Sequence, residues 1–115
     1  MTNKKEYNGW SNYETWNFKL WLDNDEKTQK MVDKWVKENC HSLSDKDVIK
    51  SVDRLYNKFY DYLWIKFYSL KLKEGFIKDI LNMALRDINL REIAQSYVDQ
   101  EKIEKEKVDF LHGVN

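Results

Sequence analysis

The chain has no proline and only three glycines in 115 residues. Proline breaks helix interiors and glycine weakens them, so their scarcity favours long helices with few interruptions. Cysteine is also scarce: Cys40 stands alone, which excludes an intrachain disulfide. One cysteine and two histidines, His41 and His112, do not match the ligand spacing of a zinc site. We therefore expect no metal and no cofactor.

Long apolar runs and a charge excess are missing as well. No run approaches the roughly 20 apolar residues of a membrane span. The N-terminal "MTNKKEYNGW" lacks the apolar centre of a signal peptide. The 20 basic and 20 acidic residues give a formal net charge of zero, which argues against a protein that binds nucleic acid over its whole surface. We expect a soluble cytoplasmic protein without membrane contact.

Catalytic signatures are missing too. There is no G-x-S-x-G motif, and glycines at positions 9, 75 and 113 are too scattered to form a phosphate-binding loop. Cys40 and His41 are adjacent, but neighbours in sequence need not face each other as a nucleophile and its base do. The sequence therefore predicts a protein that is not an enzyme.

What the chain does contain is apolar material at helical spacing. Hydrophobic residues make up 42% and aromatic residues 15%, which is enough for a core without disulfides. The pattern predicts an all-α protein, a single compact domain over 1–115 with about five helices and one long central helix. Residues 1–10 are expected to be a flexible segment. The charged stretch 100–115 is either an exposed helix reaching past the domain or a partner-binding tail.

The first helix is predicted at about 12–22, within "GWSNYETWNFKLWLDND". Ser11 and Glu14 fit a capping box, and Trp10 is placed to pack back on the first turn as a hydrophobic staple. Helical spacing predicts a core face of Tyr13, Trp16 and Leu20. The polar positions Asn12, Thr15 and Asn17 and the outer edge of Trp21 are left without a structural role.

Helices two and three follow. Asp23 or Asn24 is expected to cap the second helix, whose apolar face is Met31, Val32, Trp35 and Val36. The third is predicted from about 45 to 73, after a Ser44 cap, with an apolar stripe formed by Val48, Val52, Leu55, Phe59, Leu63, Phe67 and Leu70. A short strand in the aromatic run "YDYLWIKFY" is the competing interpretation.

Gly75 is expected to stop the third helix. A fourth helix follows, with an inward face of Ile77, Ile80, Leu81, Ala84 and Leu85. Asn89 is expected to cap a fifth helix, whose inward face is Leu90, Ile93, Ala94 and Tyr97, with Val98 beside them. Trp16, Trp35 and Trp64 each lie among apolar residues and are predicted to be core.

One surface pattern suggests a binding site. Lys46, Lys50, Arg54 and Lys58 recur every fourth residue and make a basic stripe along the third helix. Such a stripe suits phosphates or an acidic partner, whereas its commoner explanation is a solvated outer face. The tyrosines of this helix cannot all point inward, and exposed aromatic residues are enriched in protein interfaces. The candidate partner-binding residues are Lys46, Lys50, Arg54, Lys58, Tyr60, Trp21 and Asn17.

Two segments carry a resemblance to a known family. "GWSNYETWNFKLW" resembles G-W-x-N-Y-E-T-W-N-x-x-L-W, the hallmark of a family of small proteins encoded by bacteriophages and other mobile elements. "ILNMALRDINLREIA" is similar to that family's L-L-x-x-A-L-x-x-V-N-W-x-E-I-A stretch, with Leu90 where the family often has tryptophan.

This resemblance implies a phage gene expressed in the cytoplasm of a bacterial host. Small proteins from such genes often block host defence, so the resemblance implies a non-enzymatic inhibitor that binds a host protein such as a CRISPR–Cas effector nuclease. The alternative is a small nucleic-acid-binding or regulatory protein that uses the basic stripe. The oligomeric state is left open.

Overall fold

The computed structural model describes residues 7–40 and 44–112, and most of them are helical. The helices are α1 (Tyr13–Asn24), α2 (Glu26–Asn39), α3 (Asp45–Ser69), α4 (Phe76–Arg86) and α5 (Leu90–His112). The all-α prediction is therefore confirmed, with α3 as the long helix. The competing strand interpretation is wrong, because 60–68 is continuous helix. Of the predicted flexible segment 1–10 and the predicted charged tail or helix 100–115, residues 1–6 and 113–115 lie outside the described residues, as does His41.

The core lies between α3 and α5, with α1 and α2 closing its other sides. Phe59 of α3 is fully buried and meets one aromatic ring from each of α1, α2 and α5. Its ring centroid lies 6.2 Å from that of Phe18 in α1, 5.6 Å from Trp35 in α2 and 5.8 Å from Tyr97 in α5. These ring pairs fall in the range of favourable aromatic contacts.

The predicted apolar faces of α2, α3 and α5 are largely confirmed. The buried apolar side chains on these helices are Val32, Val36, Val52, Leu55, Phe59, Leu63, Phe67, Leu90, Ile93, Ala94 and Val98. Trp35 packs against this core, as predicted. Leu70 is exposed instead, because α3 ends at Ser69 rather than near residue 73.

The predicted core face of α1 is wrong. Tyr13 and Leu20 are exposed, and Trp16 is half-buried outside the core, with its ring 5.5 Å from that of Tyr13. The residues that face inward are Thr15, Phe18 and Leu22. Apolar side chains surround α1 on every side, so their spacing does not select a single face.

The predicted capping box at the start of α1 is also wrong. Asn12 is the N-cap residue, and its Oδ1 accepts a hydrogen bond from the Thr15 backbone N–H at 2.8 Å. The next cap is also shifted by a residue or two, because Asp25 rather than Asp23 or Asn24 caps α2 by accepting from Thr28. The hydrogen bonds from Thr28 hold the pKa of the Asp25 carboxyl below its ordinary value.

The N-cap residues of α3 and α5 bond in different ways. Ser44 precedes α3 as its N-cap, but its hydroxyl lies 2.9 Å from an Asp47 carboxylate oxygen instead of bonding the backbone. Asn89 caps α5 as predicted, since its Oδ1 accepts from the Glu92 N–H at 3.0 Å. Several Ser, Asp and Asn residues cluster at the starts of α1, α2, α3 and α5. Each of these residue types is a competent cap, so the sequence does not select among them.

The segment just before α1 forms a tight turn. Tyr7 and Trp10 exchange two backbone hydrogen bonds, at 3.3 and 2.9 Å. The residues between them, Asn8 and Gly9, both have positive φ, at 51° and 92°. This is the conformation that Asn-Gly pairs favour in two-residue hairpin loops. The turn sets Trp10 against the core within a stretch expected from its polarity to be flexible.

α4 differs most from its predicted packing. Ile77 and Ile80 were expected inside but are exposed, and Leu81, Ala84 and Leu85 are only half-buried. Gly75 does not end α3; it precedes α4 as its N-cap, with φ of 153°. The chain leaves α3 at Leu70, and Lys71 adopts a positive φ of 51°, so the intervening loop separates the two helices and carries α4 to the edge of the bundle.

Candidate functional site

A shallow hollow of about 300 Å³ lies where α3 faces the junction of α4 and α5. We call it the aromatic groove. Four aromatic residues of α3 form one wall, and the other wall combines apolar side chains with an arginine. The lining residues are Tyr56, Tyr60, Trp64, Tyr68, Leu85, Arg86, Ile88 and Leu90.

The aromatic wall follows from sequence spacing. Side chains four residues apart on a helix lie above one another, and the four aromatic residues recur at that interval. Successive ring centroids are 6.1 Å apart for Tyr56–Tyr60, 6.3 Å for Tyr60–Trp64 and 6.2 Å for Trp64–Tyr68. The result is a ladder of tilted rings about 18 Å long.

Two arginines pack against rings of this ladder. The Arg86 guanidinium lies 5.8 Å from the Trp64 ring centre and the Arg91 guanidinium lies 5.1 Å from that of Tyr56. Arg86 also donates to Asn82 Oδ1 at 2.6 Å, and Arg91 pairs with Asp53 at 2.8 Å. These contacts fix the planar groups against the rings, as cation–π geometry requires.

Only one predicted site residue lies in the groove. Tyr60 is about half exposed there. Lys58, two residues earlier, points away from it, because two residues turn a helix by about 200°. Lys46, Lys50, Arg54 and Lys58 are all exposed, as a surface stripe requires. Arg54 is used within the fold, since its Nη2 donates to the Asn39 carbonyl oxygen at 3.0 Å.

The other two predicted site residues lie on α1. Trp21 is 66% exposed, and Asn17 is half-buried one turn before it. They share the outer side of α1 with Leu20, and neither lines the aromatic groove. The predicted site thus divides between two helices.

The sequence prediction missed Tyr56, Trp64, Tyr68, Arg86 and Arg91. Trp64 was expected in the core but is half-buried at the groove wall. The spacing of four between these aromatic residues was visible in the sequence. The arginines were not predictable in the same way, because they come from α4 and α5 and meet α3 only in the folded chain.

Cys40 is buried in the core, as structural cysteines usually are. Burial raises the pKa of its thiol above the ordinary value, because the charged thiolate is disfavoured away from water. A raised pKa leaves less of the nucleophilic thiolate. Within 7–40 and 44–112, no group of histidine, cysteine and carboxylate side chains is arranged to hold a metal ion. No described helix is both long enough and apolar enough to cross a membrane.

A polar cluster links α1 to α5. Lys19 Nζ lies 2.6 Å from an Asp23 carboxylate oxygen and 4.8 Å from the Tyr97 ring centre. The Tyr97 hydroxyl donates to the other Asp23 oxygen at 3.3 Å. Burial and the negative charge of Asp23 together raise the pKa of the Tyr97 phenol above its ordinary value. The phenol is therefore held in its neutral, donating form.

The two segments that carry the family resemblance bind each other. Asn12 Nδ2 donates to the Asp87 carbonyl oxygen at 2.7 Å, and the Asn89 N–H donates to Thr15 Oγ1 at 2.8 Å. The Ser11 hydroxyl and backbone N–H both lie within hydrogen-bond distance of Glu92 Oε1, at 2.7 and 3.2 Å. We call these contacts the clasp. They give Asn12 and Thr15 the structural role that helical spacing alone did not.

The clasp also positions the groove. Asp87, Asn89 and Glu92 belong to the short connection between α4 and α5 and to the first turn of α5. Ile88 and Leu90, which line the groove, alternate with them in sequence. Hydrogen bonds from the start of α1 therefore hold the wall that faces the aromatic ladder.

Comparison with known proteins places most of the chain in one family. No curated protein and no solved structure matches the chain significantly. A family model does match, and it covers residues 3–107, which include every residue of the clasp and of the aromatic groove. The chain belongs to this family, described as a family of unknown function, DUF7249.

Proposed function

We propose that the protein acts without catalysis, by binding another protein through the aromatic groove. The observation that carries this proposal is the composition of the groove wall. Tyrosine, tryptophan and arginine are the residue types most enriched at the energetic centres of protein interfaces. Here three tyrosines, one tryptophan and one arginine line a single hollow, with apolar Leu85 and Ile88 opposite.

The rigidity of this wall supports the same function. The rings stand on one helix and contact one another, and Arg86 and Arg91 are already ordered against them. Little side-chain entropy is left to lose on binding, which increases the affinity gained per contact. Neutral net charge fits a partner recognised by shape and aromatic contact more than by long-range attraction.

The proposed target is a bacterial host defence protein such as a CRISPR–Cas nuclease. The resemblance of "GWSNYETWNFKLW" to proteins of phages and mobile elements supports this choice. In that setting the protein occupies a functional surface of the nuclease in the host cytoplasm, and no chemistry is required of it.

The test is a cleavage assay with purified CRISPR–Cas nucleases and purified protein. Wild type should inhibit cleavage of target DNA in a dose-dependent way. Tyr60→Ala should raise the concentration needed for half inhibition by roughly 10- to 30-fold, as expected for a residue contributing about 1.4–2 kcal/mol to an interface. Tyr13→Ala removes a similarly exposed tyrosine from α1 and is the matched control.

Equal loss in both variants, or no inhibition of any nuclease tested, would reject this function. Circular dichroism of both variants should match the wild type, because both side chains are about half exposed and their removal leaves no cavity.

A second candidate function is binding of single-stranded nucleic acid. Eighteen residues make five full helical turns, so Lys46 and Trp64 project in the same direction from α3. Basic groups in line with stacking rings are the pattern used by single-strand binders. A gel-shift titration tests this: affinity should fall as salt rises, and Lys50→Glu should weaken it. Affinity independent of salt would exclude this function.

A further inference from the structure

α4 carries an apolar face that the rest of the chain does not cover. Phe76, Ile77, Ile80 and Met83 are each between 58% and 72% exposed, and they form one stripe along the helix at spacings of one, three and three. No residue of α4 is buried. A helix of 11 residues is too short to be stable alone in water. Burying its apolar face against another surface would therefore stabilise α4.

The face is self-complementary. Around Ile80, the pattern reads nearly the same in both directions: Ile77 and Met83 lie three residues to either side, and Phe76 and Ala84 lie four residues to either side. In an antiparallel pair with its two-fold axis at Ile80, each large Phe76 ring lies over the small Ala84 of the other copy. Alternation of large and small side chains is what close helix packing requires.

Charges at the ends of α4 are mirrored with opposite sign. Lys73 and Asp87 lie seven residues either side of Ile80. Both are exposed. An antiparallel copy brings the Lys73 end of one helix to the Asp87 end of the other, so opposite charges meet at both ends. A parallel copy would set like charges together.

We propose that the exposed face of α4 binds a second copy of this chain, forming an antiparallel, two-fold symmetric dimer centred on Ile80. A two-fold interface of this kind closes on itself, so the product is a dimer and not a filament. One short helix of about 16 Å supplies the contact, which is a small interface, so the dimer dissociates on dilution. The proposal stands independently of the function proposed for the aromatic groove.

Sedimentation velocity over a range of protein concentrations tests the proposal. Wild type should shift from monomer to dimer as concentration rises. Ile80→Lys should raise the dissociation constant at least about tenfold, because it places a charge at the apolar centre of the interface. Ile49→Lys is the matched control, since Ile49 is exposed to a similar extent on α3 and should leave dimerisation unchanged.

A charge exchange tests the orientation. Lys73→Glu alone and Asp87→Lys alone should each weaken the dimer by juxtaposing like charges, and the double variant should restore it. A wild-type protein that stays monomeric at all concentrations, assembles beyond the dimer, or is insensitive to Ile80→Lys would overturn the proposal. A double variant no better than the singles would overturn the antiparallel arrangement.

Discussion

Thr15 joins the first helix to the turn before α5 through a single hydroxyl group. Its side chain is fully buried, and Oγ1 accepts the Asn89 N–H at 2.8 Å. This hydrogen bond is partly buried, so water can replace a lost Thr15 acceptor only in part. Valine would fill the same space as Thr15 but has no hydroxyl group. The contribution of Thr15 to stability beyond packing therefore comes from its one acceptor atom, Oγ1.

Thr15→Val should lower the free energy of unfolding by about 1–3 kcal/mol, since it leaves the Asn89 N–H without its acceptor. Chemical denaturation followed by circular dichroism measures this. Thr28→Val is the control: the Thr28 hydroxyl bonds Asp25 at an exposed helix start, so the loss should be smaller. Equal losses would mean that the Thr15 hydrogen bond adds no more stability than the exposed bond of Thr28.

Tyr97 gives the fold a dependence on alkaline pH. Burial first, and then Asp23, raise the pKa of its phenol above the ordinary value of 10.0. When pH rises past that value, the unfolded chain loses this proton while the folded chain retains it. The folded state then holds more protons, so its stability falls as pH increases.

Tyr97→Phe should flatten this alkaline decline, although it also removes the hydrogen bond to Asp23. The measurement is the free energy of unfolding from neutral pH to above pH 10. Tyr68→Phe, at an exposed phenol, should retain the wild-type profile. A Tyr97→Phe protein with an unchanged alkaline slope would show that other groups govern it.

Among the helices, the buried faces of α2 and α5 were predictable from the sequence. Those of α1 and α4 were predictable only in part. On α2, Val32 and Val36 stand apart from a charged opposite side, so spacing alone identifies the buried face. α1 has aromatic or aliphatic residues on every side, and the choice among them depends on where Asn89 and Phe59 lie in the folded chain. Such distant partners are not visible in the spacing.

α4 shows a different limit. Its sequence predicts an amphipathic helix correctly, but amphipathicity does not say what covers the apolar face. Covering by this chain was the natural expectation for Ile77 and Ile80, and it was wrong because the loop from Leu70 to Gly75 keeps α4 at the edge of the bundle. The candidate groove has the same limit, since its ladder could be derived from spacing and its arginines could not.

Gly75 sets the start of α4. Its φ of 153° lies in a region that residues with a β-carbon rarely adopt, although no neighbouring atom would touch an added one. Gly75→Ala should therefore cost about 1–3 kcal/mol of backbone strain without a steric clash. Hydrogen exchange should show faster exchange confined to α4, with Lys37→Ala, at an exposed position on α2, as the control. Unchanged exchange in α4 would mean that the loop adapts freely.

For the whole molecule, stability depends on Phe59, where four helices meet. Phe59→Ala should lower the free energy of unfolding by about 3–5 kcal/mol, a large fraction of what a domain of this size has. Phe59→Leu keeps most of the volume and should cost less. Ile49→Ala, on the exposed side of the same helix, should change it by less than about 0.5 kcal/mol. A mild Phe59→Ala effect would place the centre of the core elsewhere.

The molecule is also more extended than a chain of this length usually is. Its radius of gyration is 16.5 Å, compared with about 13 Å for a compact domain of similar size. α4 at the edge and the C-terminal half of α5, where Ile103, Val108 and Leu111 are exposed, account for the difference. The extension leaves surface for more than one partner at a time.

The clasp determines when the N-terminal motif can form its final contacts during synthesis of the chain. Ser11, Asn12 and Thr15 bond groups that lie 74 to 81 residues later in the chain. A ribosome adds residues at roughly 5–20 per second, so the first helix emerges seconds before its partners are synthesised. Until the connection after α4 leaves the ribosome, the Thr15 hydroxyl oxygen cannot accept its hydrogen bond from the Asn89 N–H. The N-terminal motif, first to be made, is among the last parts to reach its final contacts.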